Sequence, residues 1–302
     1  SLNDIKEVDM TRIKVGKYNV SISHESKVLF PESKITKKQL IDYYIRIAPY
    51  MLPHIKDRPV AMQRFPEGIG NEGFYHKNVP NYFPRFIQRF PIARSDGGIV
   101  QYIMVNTQAT LAYLVNYNCI TLHAWLSRVD RITHPDRIIF DLDPSGHNFD
   151  DVRIVALYLR EEIMSHNLSP YVMSTGNRGL HVITPIIRTY PFDAVRAFAL
   201  KIATTLQRNH KQLCTLEIHK EKREGKVFID ILRNAFGQTS VAPYAVRATP
   251  HASIACPLQW SDVEDPNLYS SRYTIANIWD RLDYYGDAWG LINTHKKRLR
   301  LM

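Results

Sequence analysis

Strands and helices alternate along the chain, which predicts an α/β or α+β fold built as two packed halves without an obvious hinge. Two observations lead to that class. Apolar residues recur at helical spacing in several long segments, and between them lie short apolar runs, bounded by Gly, Pro and Asn, that read as strands. A third observation is that no internal repeat or low-complexity linker interrupts the sequence. It argues for a single domain over 1–302, with an N-terminal extension over about 1–25, a core over about 26–285 and a basic helical tail over about 286–302. With 45% hydrophobic residues, a chain of 302 can bury a substantial core.

The segment "SKITKKQLIDYYIRIAPYMLPHI" (33–55) opens on Thr36 as a helix cap and continues with Leu40, Tyr44, Ile47 and Met51 on one face. "DRPVAMQRFPEGIGNEGFYHK" (57–77) is strand-like and broken by a turn at Gly68, Gly70 and Gly73. "GIVQYIMVNTQATLAYLVNYNCI" (98–120) reads as a strand followed by a helix. After "FDLDPSG", a helix over about 150–165 puts Val152, Val155, Ala156, Leu159 and Ile163 on one face. The strands "SPYVMSTG" (169–176) and "GLHVITPI" (179–186) flank a Gly-bounded turn. A further helix covers about 193–209, and "KVFIDILRN" (226–234) reads as a buried strand. The tail over 270–302 is expected to be helical and ends in the basic "HKKRLR".

Charge narrows the partners. Lys and Arg number 39 against 29 Asp and Glu, a net charge of +10, and a surplus of that size favours polyanions, nucleic acid before acidic membrane. Cys119, Cys214 and Cys256 lie far apart with no CxxC pair, so they read as reduced thiols of a cytosolic protein rather than a disulfide framework or zinc site. No apolar run approaches the ~20 residues of a membrane span, and no signal peptide is recognisable. The opening Ser1, in place of Met, suggests an excised domain or a cleaved tag.

The chemistry is concentrated in three strings. In "IIFDLDPSG" (138–146), Asp141 and Asp143 interrupt the end of an apolar strand. Residues i and i+2 of a strand share a face roughly 6.5–7 Å apart. The two carboxylates can therefore converge on a pair of Mg²⁺ or Mn²⁺ ions ~3.5–4 Å apart. A turn-capping Asp explains one of them, but two on one face repel unless something positive lies between. Asp230 breaks five apolar residues in "VFIDILRN"; it reads as a third ligand or as the ion-pair partner of Arg233 or Arg223. "STGNRGLHV" (174–182) offers the hydroxyl of Thr175, flexible backbone at Gly176 and Gly179, the cation Arg178 and the imidazole of His181. Such a turn suits a triphosphate, although it is no Walker A loop and taken alone reads by default as a plain hairpin turn. "GQTSVAPYAVR" (237–247) adds Gln238, Thr239 and Arg247.

Five strings in order, "RFPEGIGNEGFYHK", "TLHAWLSR", "PDRIIFDLDPSG", "STGNRGLHV" and "FIDILRNAFGQTSVAPYAVR", make the sequence from about 27 to 285 resemble a known family. It is the polymerase domain of bacterial and archaeal ligase D, the end-joining branch of the archaeo-eukaryotic primase superfamily. The resemblance implies that superfamily's fold, with central mixed or antiparallel sheets flanked by helices. It implies a nucleotidyltransferase that adds NTPs or dNTPs to 3′-hydroxyls at gaps and broken DNA ends, using ribonucleotides at least as well as deoxyribonucleotides. By resemblance Asp141, Asp143 and Asp230 hold two Mg²⁺ or Mn²⁺ ions, and Thr175, Arg178 and His181 bind the triphosphate. His123, Arg233 and Arg247, with Arg223, complete the nucleotide pocket. Lys27 and Lys37 of "SKVLFPESKITK" recognise a downstream 5′-phosphate, and Phe74 and Tyr75 stack on the template. The partners implied are DNA with gaps, overhangs or 5′-phosphorylated ends, a Ku-like end-binding protein and a ligase; the location implied is cytoplasmic, on the nucleoid. Two departures stand out. Many members carry ligase and nuclease modules that this chain lacks, and the position of Arg233 varies among them. A non-catalytic DNA-end-binding module and a DxD metal-dependent glycosyltransferase are the rival readings. The latter needs neither the third strand Asp followed by Arg nor a +10 surface.

Overall fold

The computed structural model describes residues 9–301. The first eight residues of the expected N-terminal extension lie outside the described residues; the remainder forms the hairpin β1 (Met10–Val15) and β2 (Tyr18–Ser23). Val15, Val20 and Ile22 of that hairpin are buried in the main core. The short pair β3 (Val28–Phe30) and β4 (Ile35–Thr36) leads into α1 (Lys37–Ile55). Thr36 caps α1 with a reciprocal box, its hydroxyl accepting from Gln39 N while the Gln39 side chain accepts from Thr36 N. Leu40, Tyr44, Ile47 and Met51 are fully buried, as the helical spacing requires.

The first sheet takes β5 (Pro59–Arg64), β6 (Phe74–His76), β7 (Arg89–Ala93) and β8 (Ile99–Met104). It continues, after α2 (Gln108–Asn116), with β9 (Cys119–Trp125). The second takes β10 (Arg137–Asp143), then, after α3 (Phe149–Ser165), β11 (Tyr171–Ser174) and β12 (Leu180–Pro185). After α4 (Phe192–Asn209) come β13 (Cys214–Thr215) and β14 (Val227–Asp230). The chain then crosses back to the first sheet as β15 (Thr239–Val241) and returns to the second as β16 (Cys256–Leu258). It ends with α5 (Trp260–Glu264) and α6 (Ile278–Tyr285). The sheets run β15-β9-β5-β8-β7, with β6 added on β5, and β13-β14-β10-β12-β11-β16. Every pairing within them is antiparallel except β13 with β14. Helices α3 and α4 pack against the second sheet, and the buried apolar side chains of both sheets belong to one core. The fold is therefore mixed, with antiparallel sheets and flanking helices, in agreement with the class read from sequence.

Two local expectations are corrected. The strand over 226–234 stops at Asp230 and gives way to a 3-10 turn over Leu232–Asn234. The buried Asn234 amide stands in for a strand there, donating to Ile139 O (2.7 Å) and accepting from Ile139 N (2.9 Å). The tail is not a continuous helix: α6 ends where Gly286 takes φ +68°, and only a 3-10 turn over Ile292–Thr294 follows. The basic end is extended instead. Ile187 N donates to Lys297 O (3.0 Å), and Lys296 Nζ reaches Asp136 Oδ2 (3.3 Å), so tertiary pairing overrides the helical spacing.

Asp136 itself is wholly buried. Arg58 approaches it at 2.8 Å, and Arg128 and Lys296 each at 3.3 Å. The three free cysteines are buried. Among the described residues, no helix is long and apolar enough to cross a membrane.

Candidate active site

Register builds this site. In β10, Asp141 lies opposite His181 of β12 on one side and opposite Asp230 of β14 on the other. Directly opposed residues share a sheet face, and Asp143, two residues along, shares it too. Three strands thus deliver three carboxylates and an imidazole to one row. All four line a cavity of about 380 Å³ together with Tyr75, His123, Thr175, Arg178, Arg223, Arg233 and Arg247. Every carboxylate and nucleotide-binding residue nominated from sequence reaches this wall. Gly179, singled out for its backbone, completes it with Asn177, Phe228 and Val241, which were not nominated.

Two of the three carboxylates are already engaged by basic side chains. Asp141 meets His181 Nε2 and Arg233 Nε, each at 3.3 Å. Burial opposes its ionisation, but His181 and then Arg233 outweigh that and hold its pKa at about 2. Asp143 behaves oppositely. Burial and then the charge of Asp141 push it up, while Arg178 and Arg223, the latter 3.6 Å away, pull back. Asp230 accepts a hydrogen bond from Leu232 N (2.8 Å). As these side chains stand, no group of three or more His, Cys, Asp or Glu among the described residues is arranged to hold a metal ion. The backbone nevertheless brings three hard-oxygen donors to one face, a donor set that fits Mg²⁺ or Mn²⁺ once Asp141 and Asp143 release their cationic partners. His123 is held neutral, its pKa pushed down to about 3 by burial and by Arg247, Arg233 and His181. Its Nε2 has no partner, and its ring meets Tyr75 edge-on at 5.2 Å.

The turn after β11 is held from behind. Thr175 Oγ1 accepts from Gly179 N (3.2 Å) and Asn177 N (3.3 Å). Ser270 Oγ donates to Gly179 O (2.8 Å), so the Thr175 hydroxyl proton is left to point at Ser270 Oγ, 3.1 Å away. On the other side Ser253 Oγ donates to Gly176 O. Gly176 has φ +72°, and a Cβ at either glycine would run into a carbonyl, that of Ile254 or of Leu142. The Thr175 hydroxyl is therefore spent on shaping the turn. Arg178 ties the turn to the loop after β10, donating to Pro144 O (2.9 Å) and Gly146 O (3.3 Å). Ser253 and Ser270 carry no local signal in the sequence; only their long-range contacts reveal them.

Lys27, Lys37 and Phe74 lie outside the lining of this cavity. Lys37 is 2% exposed, its Nζ donating to Ser23 O (2.9 Å) and Asn116 O (3.0 Å). Burial, and then the charge of Lys27, lower its pKa to about 8. Lys27 Nζ donates to Pro66 O and has Glu67 at 3.6 Å. Phe74 and Tyr75, adjacent on β6, point to opposite faces. Tyr75 meets His123, whereas Phe74 lies near His76 and Arg64.

Comparison with known proteins agrees with this geometry. Residues 36–289 match the family described as LigD, primase-polymerase domain. The multifunctional non-homologous end joining protein LigD of Mycolicibacterium smegmatis is 32% identical over 271 residues, covering 89% of this chain and 35% of that protein. The bifunctional LigD of Bacillus subtilis is 30% identical over 262 residues, 86% of this chain and 42% of that protein. The chain thus spans well under half the length of these relatives. A solved structure, the polymerase domain from Mycobacterium tuberculosis ligase D in complex with DNA, superposes with a TM-score of 0.86 at 27% identity. The superposition covers 92% of this chain and 99% of that one. With its cavity, its carboxylate row and a match over residues 36–289, this chain belongs to the LigD primase-polymerase domain family.

Proposed function

We propose that the cavity binds a nucleoside triphosphate, ribo- or deoxyribo-, and that the domain adds nucleotides to 3′-hydroxyls at gaps and broken ends of DNA. The observation that carries this reading is the row Asp230, Asp141 and His181, with Asp143 beside it and four arginines around it. Asp141, Asp143 and Asp230 would hold two divalent ions, Mg²⁺ or Mn²⁺, which when bound make the 3′-hydroxyl a better nucleophile and offset charge on the α-phosphate and the leaving pyrophosphate. Every other part falls to this chain. Arg233 and Arg223, once released by the carboxylates, turn toward phosphate oxygens, with Arg178, Arg247 and His181 adding positive charge. Neutral His123 offers an uncharged polar edge to the sugar, which is compatible with a 2′-hydroxyl. Tyr75, edge-on to His123, would stack on the template. We infer further that the chain acts as a single domain on gapped or 5′-phosphorylated DNA in the cytoplasm, alongside a Ku-like end-binding protein and a ligase.

Primer extension on gapped DNA with Mn²⁺ tests the reading. Templated incorporation of GTP and dGTP opposite cytosine is expected, GTP at least as well. DNA binding without any incorporation would leave a non-catalytic end-binding module.

Two finer expectations follow from the geometry. Ser270→Ala should raise KM for the nucleotide about five- to tenfold, the effect of one lost hydrogen bond, with kcat little changed and Ser270→Thr restoring most of it. An unchanged KM would mean that the turn holds its shape unaided. The family likeness supports a second reading, in which Lys27, with the buried Lys37 near it, would draw a 5′-phosphate, which carries nearly two charges. Gapped DNA should bind more tightly with a 5′-phosphate than with a 5′-hydroxyl, by roughly 1–3 kcal/mol. Because Lys37 already begins to lose its proton near pH 8, the preference should fade as pH rises through about 8, well below the ordinary lysine range. A preference that persists to pH 10, or that survives Lys27→Ala with Lys37→Ala, would release these lysines from the role.

A further inference from the structure

One face of the first sheet carries aromatic residues that the main apolar core does not use. In the pairing of β9 with β15, His123 lies opposite Val241 and Trp125 lies opposite Thr239. His123 and Val241 line the carboxylate cavity. Trp125 therefore shares their face one strand repeat further on, roughly 6.5–7 Å away. There a second hollow of about 600 Å³ opens, walled by Val100, Tyr102, Trp125, Phe236 and Gly237, with Arg94 at its edge. Its volume lies within the roughly 300–1,000 Å³ typical of small-molecule sites.

Trp125 and Tyr102 are 2% and 5% exposed, yet neither belongs to the main apolar core. They meet edge-on at 5.5 Å, and Trp125 meets Phe236 edge-on at 5.0 Å. Phe236 differs from both, with 47% of its surface open. A half-open ring standing at 85° to a buried one offers a face to a planar guest.

The path of the chain ties this hollow to the carboxylates. Phe236 follows Asp230 and Arg233 through the 3-10 turn over Leu232–Asn234. Arg233 Nη1 donates to Thr239 O (2.9 Å), at the strand position opposite Trp125. Tyr75 lies in the other direction: it pairs with Gln63, which lies opposite Thr121 toward the start of β9. His123 thus stands between Tyr75 and the hollow. A nucleotide seated at His123 has Tyr75 on one side and, on the other, an aromatic space beside Arg233.

We propose that this hollow seats the 3′-terminal nucleotide of the strand being extended, its base stacked on Phe236 next to Trp125 and Tyr102. Arg94 turns to its phosphate, giving up an exposed ion pair with Asp96 that costs little to break. The proposal rests on the nucleotide reading and adds to it the seat of the second substrate. Stacking on rings tolerates any base, since every base has a π face. An aromatic seat thus suits an enzyme that extends ends of any sequence.

Primer extension on gapped DNA provides the test. Phe236→Ala should raise KM for the DNA about tenfold, the effect of one lost base–aromatic stack, with KM for GTP unchanged and Phe236→Tyr restoring most of the loss. Val100→Trp, which fills the hollow from another wall, should raise the same constant. An abasic residue at the primer 3′ end should cost the wild type a similar factor and Phe236→Ala nothing further, because both changes remove one contact. Additive losses, or an unchanged KM for DNA in Phe236→Ala and Val100→Trp, would overturn the proposal and leave the nucleotide reading standing. Wild-type protein that binds the gapped DNA and incorporates nothing would defeat both.

Discussion

Asp141→Ala is expected to cut templated nucleotide addition by at least about a thousandfold, roughly 4 kcal/mol of transition-state stabilisation, while DNA binding stays close to wild type. Asp141 is the centre of the row: its strand neighbours are Asp230 and His181, and Asp143 lies two residues along. Its pKa near 2 keeps it ionised throughout the working range. The substitution therefore removes both a charge and a donor from the point where the other groups converge. Binding should survive because Lys27 and Lys37 stand outside this cavity, and because losing a carboxylate lessens repulsion with phosphate. Primer extension in Mn²⁺ and an equilibrium binding assay on the same gapped substrate measure the two effects. Near wild-type extension by the variant would defeat the metal-site reading.

The second large effect concerns stability. Asp136→Asn should destabilise the fold by about 3–5 kcal/mol, the usual result of removing one partner from a buried ion pair. The isosteric amide keeps the shape but leaves Arg58 without its counter-charge and strips Arg128 and Lys296 of theirs. Although burial opposes its ionisation, Arg58, Arg137 and Lys296 hold the Asp136 carboxyl well below the usual range. A carboxyl lowered on folding adds stability above its unfolded pKa and loses it as pH falls toward the folded value. The gap between wild type and variant, measured by urea unfolding, should therefore be full at neutral pH and shrink in acid below about pH 4. A loss under ~1 kcal/mol at pH 7 would show that the cluster is offset by other groups.

Much of this was legible in the sequence where the signal is local. The Thr36 cap, the apolar face of α1 and the carboxylates interrupting β10 and β14 each announce themselves within a few residues. What escaped depends on distance. The β13, β15 and β16 strands are two or three residues long and exist only through their neighbours. The β9 strand, buried at every position, has no alternation to distinguish it from the end of the preceding helix. Nothing near Lys37 in the sequence signals its burial, because Ser23 and Asn116, 14 and 79 residues away, supply the carbonyls that enclose it. Ser253 and Ser270 are ordinary hydroxyls until 77 and 91 residues of separation are closed. The family strings suggest roles that spacing alone leaves open, such as a nucleotide pocket in place of a hairpin turn.

The crossing at Asn234 has a consequence for motion. The chain passes from the second sheet to the first directly after Asp230, and the Asn234 amide pins that passage to both backbone groups of Ile139 and to Ile231 O. Nearby, the Tyr44 hydroxyl accepts from Val246 N (3.0 Å) and Tyr43 donates to Tyr244 O (2.7 Å), stitching α1 to the segment after β15. A passage so tethered cannot serve as a pivot, because opening the halves would strand several buried polar groups at once. On the proposed reading, nucleotide capture is left to exposed segments beside lining residues, at Gly146–His147, where Arg178 donates to Gly146 O, and at His219–Lys222, which lead into Arg223. Amide hydrogen exchange in those segments should slow on nucleotide binding, while the protection of Ile139 and Asn234 stays constant.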